Sequence, residues 1–308
     1  MESNKEKNFA SAVVYCYNDA KTIGSFIENL DKTLADNFLK YEIVVVDDYS
    51  KDDSVEIVKK YASHKEGKVI SVLKMSSYHG VEPSMNAGLN LAIGDFVFEF
   101  DCAFADFDWS IMMQIYKKSL TGYDIVNALP NEKPESSMAT YLRLFNHYAK
   151  LQHPLGIDTC RVISRRAINR VHSITQTIPF RKIAYANCGL EMTNVEYIPS
   201  CAIPADKRKM PLSKAIDSFI LFTDLSFRIS ITLAVIMFVV TITMGVYAIV
   251  LNFFMTPVAG WTTTIVFLSL GFSGLFVILS MVIKYLQTLV NLVFKKKDYL
   301  FESITKLQ

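Results

Sequence analysis

Through the first 101 positions short apolar runs alternate with amphipathic segments. SAVVYCY (11–17), YEIVVVDD (41–48), KVISVLKM (68–75) and DFVFEFD (95–101) are valine-, isoleucine- and phenylalanine-rich runs of strand length. Between them lie DAKTIGSFIENLDKTLADN (19–37), SVEIVKKYASH (54–64) and PSMNAGLNLAIG (83–94), which read as helices. A strand apolar on both faces must be covered on both faces, so this pattern predicts a parallel α/β sheet with helices on either side. GYDIV (122–126) adds a short fifth strand, and RVISRRAINRVHSI (161–174) reads as a strand turning into a basic helix. Ligands of such sheets bind at the carboxyl ends of the strands. The polar clusters fall there: Tyr17-Asn18-Asp19, Asp47-Asp48 and Asp101 onward.

The second half of the chain has a different pattern. Positions 229–255 and 261–283 carry no charged residue, and each run exceeds the roughly 20 apolar residues that cross a hydrocarbon core. The connector TPVAG is too short to hold a domain, so the two spans are expected to form a transmembrane hairpin with both ends on one side. Lys207, Arg208, Lys209, Lys214 and Arg228 precede the first span, and Lys284, Lys295, Lys296 and Lys297 follow the second. By the positive-inside rule both flanks are cytoplasmic. The polar opening MESNKEKNFA agrees with an N-terminal region on that side. The expected organisation is a cytoplasmic domain over 1–204, amphipathic interfacial helices over 205–228, the hairpin over 229–283 and a cytoplasmic tail over 284–308. Gly271 and Gly274 permit close helix packing, so self-association through the spans is a further expectation. The protein is expected to be a multi-pass integral protein of the cell (inner) membrane.

Composition refines this picture in three places. The 51% hydrophobic content is high for a soluble chain, and the two uncharged runs account for the excess. A formal net charge of +2 does not suggest a nucleic-acid partner, and the basic residues beside the spans point to lipid headgroups instead. The five cysteines (Cys16, Cys102, Cys160, Cys188, Cys201) are scattered without a CxxC pair, which indicates neither a disulfide framework nor a zinc site.

Candidate chemistry begins at VVVDDYSKDDS. A carboxylate leaving a buried strand there accepts hydrogen bonds from a ribose or a base amine, and the following helix N-terminus favours an anion. The same residues equally make an Asp/Ser-rich turn with Asp52 or Asp53 as the helix cap. Further along, FVFEFDCAFADFDW (96–109) gathers Glu99, Asp101, Asp106 and Asp108, the last placed as a cap for the helix after it.

Taken together, four segments resemble family 2 glycosyltransferases. VVYCYNDAKTIGSFI is similar to the opening strand and "YNE" turn of that family, EIVVVDDYSKDDS to its "VDDGSxDxS" turn, and MNAGLNLAIGDFVFEFD to its "NxGxxxAxGDxxxxxD" segment. GYDIV, RVISRRAI and the tail KYLQTLVNLVFKKKDYLFES resemble segments of the polyprenyl-phosphate glycosyltransferases, relatives of dolichyl-phosphate mannose synthase. The resemblance implies a GT-A fold, a Rossmann-like α/β nucleotide-diphospho-sugar transferase domain. It implies transfer of a monosaccharide from a UDP- or GDP-linked sugar to a polyprenyl phosphate at the cytoplasmic membrane face, in building or modifying cell-envelope glycans. The matched positions give Tyr17, Asp19, Asp48, Ser50, Asp52 and Asn86 to the nucleotide, and Asp101, Asp158 and Arg161 to the reacting groups. Arg165 and Arg208 fall to donor or lipid phosphate. A divalent cation, Mg²⁺ or Mn²⁺, is implied on Asp101. The family's "DADLQDP" reads Asp101, Cys102, Ala103, Phe104, Ala105, Asp106, Phe107 here, so Glu99 and Asp106 remain as its only acidic helpers. This weakened site opens a second reading, a GT-A homologue acting as a binding or assembly partner.

Overall fold

The computed structural model describes residues 5–63, 69–132, 136–149, 151–174, 180–201, 216–218 and 301–307, with scattered positions between 229 and 289. Eight strands form one sheet: β1 (Glu6–Cys16), β2 (Phe38–Asp47), β3 (Val69–Met75), β4 (Phe96–Phe100), β5 (Ile125–Pro130), β6 (Cys160–Ser164), β7 (Met192–Tyr197) and β8 (Phe301–Leu307). Their order is β7-β5-β6-β4-β1-β2-β3-β8. The helices are α1 (Ile23–Asn37), α2 (Ser54–Ser63), α3 (Val81–Leu91), α4 (Ser110–Ser119), α5 (Ser136–Tyr148), α6 (Arg165–Ile174) and α7 (Arg181–Ala186).

Strand parity decides what each residue does. Ala12 and Val14 of β1, Ile43 and Val45 of β2, and Phe98 and Phe100 of β4 join the core on one face, with apolar residues of α1, α2 and α4. Val13 and Tyr15, Val44 and Val46, and Val97 take the other face, with residues of α3, α6 and α7. Successive side chains of a strand point to opposite faces, so Glu99 shares the face of Val97 and lies opposite Arg161 in the β4–β6 ladder.

The expected parallel sheet is corrected to a mixed one. β1 to β4 are parallel neighbours, but β6 runs antiparallel between β4 and β5, and β8 is antiparallel to β3. Apolar content reports burial and not strand direction, so the sequence pattern did not distinguish these cases. The mixed α/β sheet agrees with the GT-A-like architecture that the motifs imply. Within the expected tail, residues 301–307 pair with the edge of β3.

Two glycines of the MNAGLNLAIGD segment serve packing. A Cβ on Gly88 would lie 2.5 Å from Val13 Cγ1 and 2.6 Å from Val46 Cγ2, so only glycine lets α3 approach the sheet this closely. A Cβ on Gly94 would lie 2.6 Å from the Ser11 backbone nitrogen. Next to it, the Asp95 carboxylate accepts from the Phe9 N–H at 2.9 Å, which ties the loop before β4 to β1. The turn after β2 holds Tyr49 at φ 67, where a side chain is strained. The resembled motif has glycine at that place.

The chain divides into two compact units, one of Met1–Arg143, Leu151–Met210 and Lys296–Gln308, the other of Leu144–Lys150 and Pro211–Lys295. In the second unit the described residues between 216 and 289 are helical. Among the described residues no helix is long and apolar enough to cross a membrane. The spans expected at 229–255 and 261–283 lie largely outside the described residues, as do Arg208 and most of 205–228.

Gly94→Ala forces backbone apart in a packed core and is expected to lower stability by about 2 kcal/mol, read from urea unfolding of the purified chain. Tyr49→Gly is expected to be more stable than Tyr49→Ala by about 1 kcal/mol, because both remove the ring but only glycine relieves the left-handed strain.

Candidate active site

Two polar clusters form at the carboxyl ends of the parallel strands. The first is built on the turns after β1 and β2. Asp48 is fully buried, and its Oδ2 accepts from the Tyr15 hydroxyl at 2.8 Å and the Gly80 N–H at 2.7 Å. Its Oδ1 accepts from the His79 N–H at 2.8 Å. Burial, then Asp48, pushes the Tyr15 phenol up, so it remains a hydrogen-bond donor. Asp48 thereby clamps the loop ahead of α3 over the end of β2. Asp19 accepts from the Tyr17 N–H at 3.1 Å, and its own N–H donates to Ser54 Oγ at 2.8 Å. Asp52 accepts from the Ala20 and Ser54 N–H groups at 3.0 and 3.1 Å, and the Ser50 hydroxyl accepts from Asn18 N–H at 3.0 Å. The turn reading of this segment is therefore realised, and these bonds hold the two loops as one floor. Above it the Tyr17 and Tyr78 rings meet at 4.7 Å between centroids, with Tyr78 mostly exposed.

The second cluster is ionic. Arg161 and Arg181 have no solvent exposure. Arg161 donates to Glu99 Oε2 at 2.5 Å, Asp101 Oδ2 at 2.8 Å and Asp158 Oδ2 at 2.8 Å. Arg181 donates to Asp101 Oδ1 at 2.8 Å and Glu82 Oε2 at 3.1 Å, and lies 3.0 Å from Glu99 Oε2. The Tyr185 hydroxyl completes Glu99 with a 2.6 Å bond to Oε1. Lys182 Nζ lies 3.4 Å from Asp101 Oδ2 and 3.5 Å from Asp158 Oδ1, and donates to the Asp158 carbonyl. Burial alone would raise the Asp101 carboxyl, but Arg161, Arg181 and Lys182 hold it well below the usual carboxylate range. Burial likewise opposes charge on Arg161, yet Asp101, Asp158 and Glu99 keep it ionised.

Residues 79–82 join the clusters, since Gly80 donates to Asp48 while Glu82 holds both the side chain and the N–H of Arg181. Beside the ionic cluster opens a cleft lined by Asn127, Pro154, Gly156, Asp158, Arg161, Lys182 and Tyr185.

The sequence-derived candidates thus sort by position. Asp101, Asp158, Arg161 and Glu99 converge, and Tyr17, Asp19, Asp48, Ser50 and Asp52 form the neighbouring floor. Asn86 is buried within α3. Arg165 is elsewhere: its guanidinium binds the carbonyls of Ala92 and Gly94 at 2.7 Å, at the opposite end of β4 from Asp101. Asp106 is buried, with its Oδ1 accepting from Tyr197 at 2.8 Å. Asp108 accepts from the Ser110 N–H at 2.9 Å, as a cap for α4 should. Arg208 lies outside the described residues. The sequence reading missed Arg181, Lys182, Tyr185 and Tyr78. FRKIAYA (180–186) carries no family motif, and its two adjacent cations were the one available signal.

The donor set does not fit the implied divalent cation. Glu99 is engaged by two guanidiniums and a phenol, Asp106 accepts from Tyr197, and Cys102, Ala103, Phe104 and Ala105 bring no oxygen side chain between them. Asp101 alone remains, with cations on both oxygens. Among the described residues no group of three His, Cys, Asp or Glu side chains is placed to hold a metal.

Comparison with known proteins identifies the family. The family model described as glycosyl transferase family 2 matches residues 11–172, just over half of the chain. An uncharacterized glycosyltransferase, YkcC, of Bacillus subtilis is 23% identical over 66% of this chain and 64% of its own length. An undecaprenyl-phosphate 4-deoxy-4-formamido-L-arabinose transferase of Edwardsiella ictaluri is 28% identical over 44% of this chain and 41% of its own. The match therefore spans between two fifths and just under two thirds of these relatives. Among solved structures, the mannosyltransferase PcManGT of Pyrobaculum calidifontis, in complex with GDP-Man and Mn²⁺, superposes with a TM-score of 0.49 at 15% identity, covering 65% of this chain and 59% of that one.

The depressed carboxyl of Asp101 sets a pH dependence. An unfolded aspartate takes up its proton near about pH 3.9, while folded Asp101 stays ionised well below that. The unfolded state then binds more protons, so this group's stabilisation is present above that pH and is lost as pH falls toward the folded value. Urea midpoints measured from about pH 5 down to about pH 2 should therefore decline, and Asp101→Asn should flatten the decline.

Proposed function

The chain belongs to glycosyl transferase family 2, and from that premise we propose that it moves a monosaccharide from a UDP- or GDP-linked sugar to a polyprenyl phosphate at the cytoplasmic face of a membrane. The observation that carries this reading is the meeting, at the carboxyl ends of β1, β2 and β4, of the aromatic pair, the Asp48 floor and the Asp101–Arg161–Asp158 cluster. A nucleoside diphosphate suits that arrangement. Tyr17 and Tyr78 offer faces for a base, and basic side chains line the cleft beside Asp158 where the sugar and acceptor would meet.

In the reaction an acceptor phosphate oxygen forms a bond to the anomeric carbon as that carbon's bond to the diphosphate breaks, and the nucleoside diphosphate leaves with the electron pair. The acceptor is already an anion, so no strong general base is required. Asp158 and Asp101 hold Arg161 between them, so its buried guanidinium stays fixed behind the Lys182 ammonium, which lies beside the same two carboxylates.

A lipid acceptor and a membrane location have three supports. One relative is named for an undecaprenyl-phosphate substrate. Large apolar side chains are exposed on described helical residues of the second unit, among them Ile236, Val239, Leu268, Phe272, Leu275 and Leu279, an arrangement suited to lipid. The pairing of residues 301–307 with β3 supports a hairpin whose two ends lie on one side.

The second reading, a homologue that binds but no longer transfers, is favoured by one observation: the oxygens of Glu99 and Asp101 are already engaged by this chain's own donors. Full-length protein in lipid nanodiscs, incubated with a panel of UDP- and GDP-sugars and undecaprenyl phosphate, separates the two. Transfer from at least one donor is expected, and Asp158→Asn should lower its rate about 100-fold by loosening Arg161. A folded protein that binds nucleotide or lipid yet transfers from no donor would establish the second reading instead.

A further inference from the structure

We propose that the carboxylates at the end of β4 are counter-ions of a built-in cationic site, and that this chain binds its nucleoside diphosphate without a divalent cation, Lys182 meeting the diphosphate instead. The inference rests on the donor-site reading above and deepens it.

Three observations carry it. The first is the donor set. A divalent cation on oxygen ligands needs free carboxylate lone pairs, but Asp101 accepts from Arg181 on Oδ1 and from Arg161 on Oδ2, with Lys182 close by. A metal entering there would face three positive groups, and the carboxylate that would hold it has already spent its charge on them.

The second is burial. Arg161 and Arg181 are closed off from solvent, whereas the Lys182 side chain retains 28% exposure and Asp101 only 14%. Lys182 is therefore the cation of the cluster that an incoming anion reaches first.

The third is bonding. Lys182 pairs with Asp101 and Asp158 at 3.4 and 3.5 Å, at the long end of ion-pair distance, and among the described residues its hydrogen bond goes to the Asp158 backbone carbonyl. An ammonium on a flexible stem so held turns toward a phosphate with little rearrangement, while the two arginines stay behind and keep Asp101 and Glu99 neutralised.

The experiment uses the full chain in nanodiscs and reads binding, not turnover. UDP and GDP affinities are measured by calorimetry with EDTA and again with Mn²⁺, and Mn²⁺ binding to the nucleotide-free protein is followed by its electron paramagnetic resonance signal. The expected results are no Mn²⁺ bound by the protein alone and nucleotide affinities that agree within about twofold between the two conditions. Lys182→Met should weaken UDP or GDP about tenfold, leave the phosphate-free nucleoside unchanged, and be rescued in large part by Lys182→Arg. An unaltered melting temperature in Lys182→Met shows that the fold survives. The proposal is overturned by nucleotide affinity that rises about tenfold or more with Mn²⁺, or by a Lys182→Met protein that binds UDP and GDP as before. Either outcome leaves the donor-site reading standing. If neither nucleotide binds in either condition, the donor-site reading fails and this proposal with it.

Discussion

Two arginines sealed inside the protein constrain everything around them. A guanidinium taken out of water without a partner is so unfavourable that Arg161 and Arg181 are tolerable only where carboxylates surround them. Glu99 and Asp101 from the end of β4, Asp158 from the loop before β6 and Glu82 from α3 meet that demand. Each arginine is shared by three carboxylates, so the network compensates both buried charges from several elements at once. The network therefore fixes the register of β4 against β6, where Glu99 faces Arg161, and it draws α7 and the first turn of α3 to the same point.

This arrangement changes what the acidic strand end does. Carboxylates at the end of a parallel strand read as metal ligands when their neighbours are unknown. Here they act as the wall against which Arg161, Arg181 and Lys182 are held. The same economy appears at Asp48, whose oxygens are occupied by Tyr15 and by the loop before α3. Asp48 supports the place where a base would lie through geometry, by holding the floor beneath Tyr17 and Tyr78.

Glycines and turns then set how closely the layers meet. Gly88 lets α3 settle onto Val13 and Val46, which brings residues 79–82 within reach of both clusters, and Gly94 seats the start of β4 against β1. Motif residues of a glycosyltransferase thus divide between chemistry and packing: Asp95 and Gly94 lock a loop, while Asp101, six positions after Asp95, enters the site.

The sequence by itself determined the elements, the layers and the strand ends at which polar residues gather, because periodicity and burial are local properties that repeat along the chain. It also determined family, because the motif spacings of the first half are intact, and it named Asp101, Asp158 and Arg161 as candidates, which the fold brings together. Tertiary structure alone decided strand direction at β6 and the return of residues 301–307 to β3, for apolar content is blind to orientation. It alone showed Arg165 bound to carbonyls at the far end of β4 and Asp106 turned to Tyr197. Above all, it brought Arg181 and Lys182 from an unremarked segment onto Asp101. The charge state and availability of a carboxylate depend on what stands within about 4 Å of it, and for Asp101 those neighbours lie some 60 to 81 positions away in the chain.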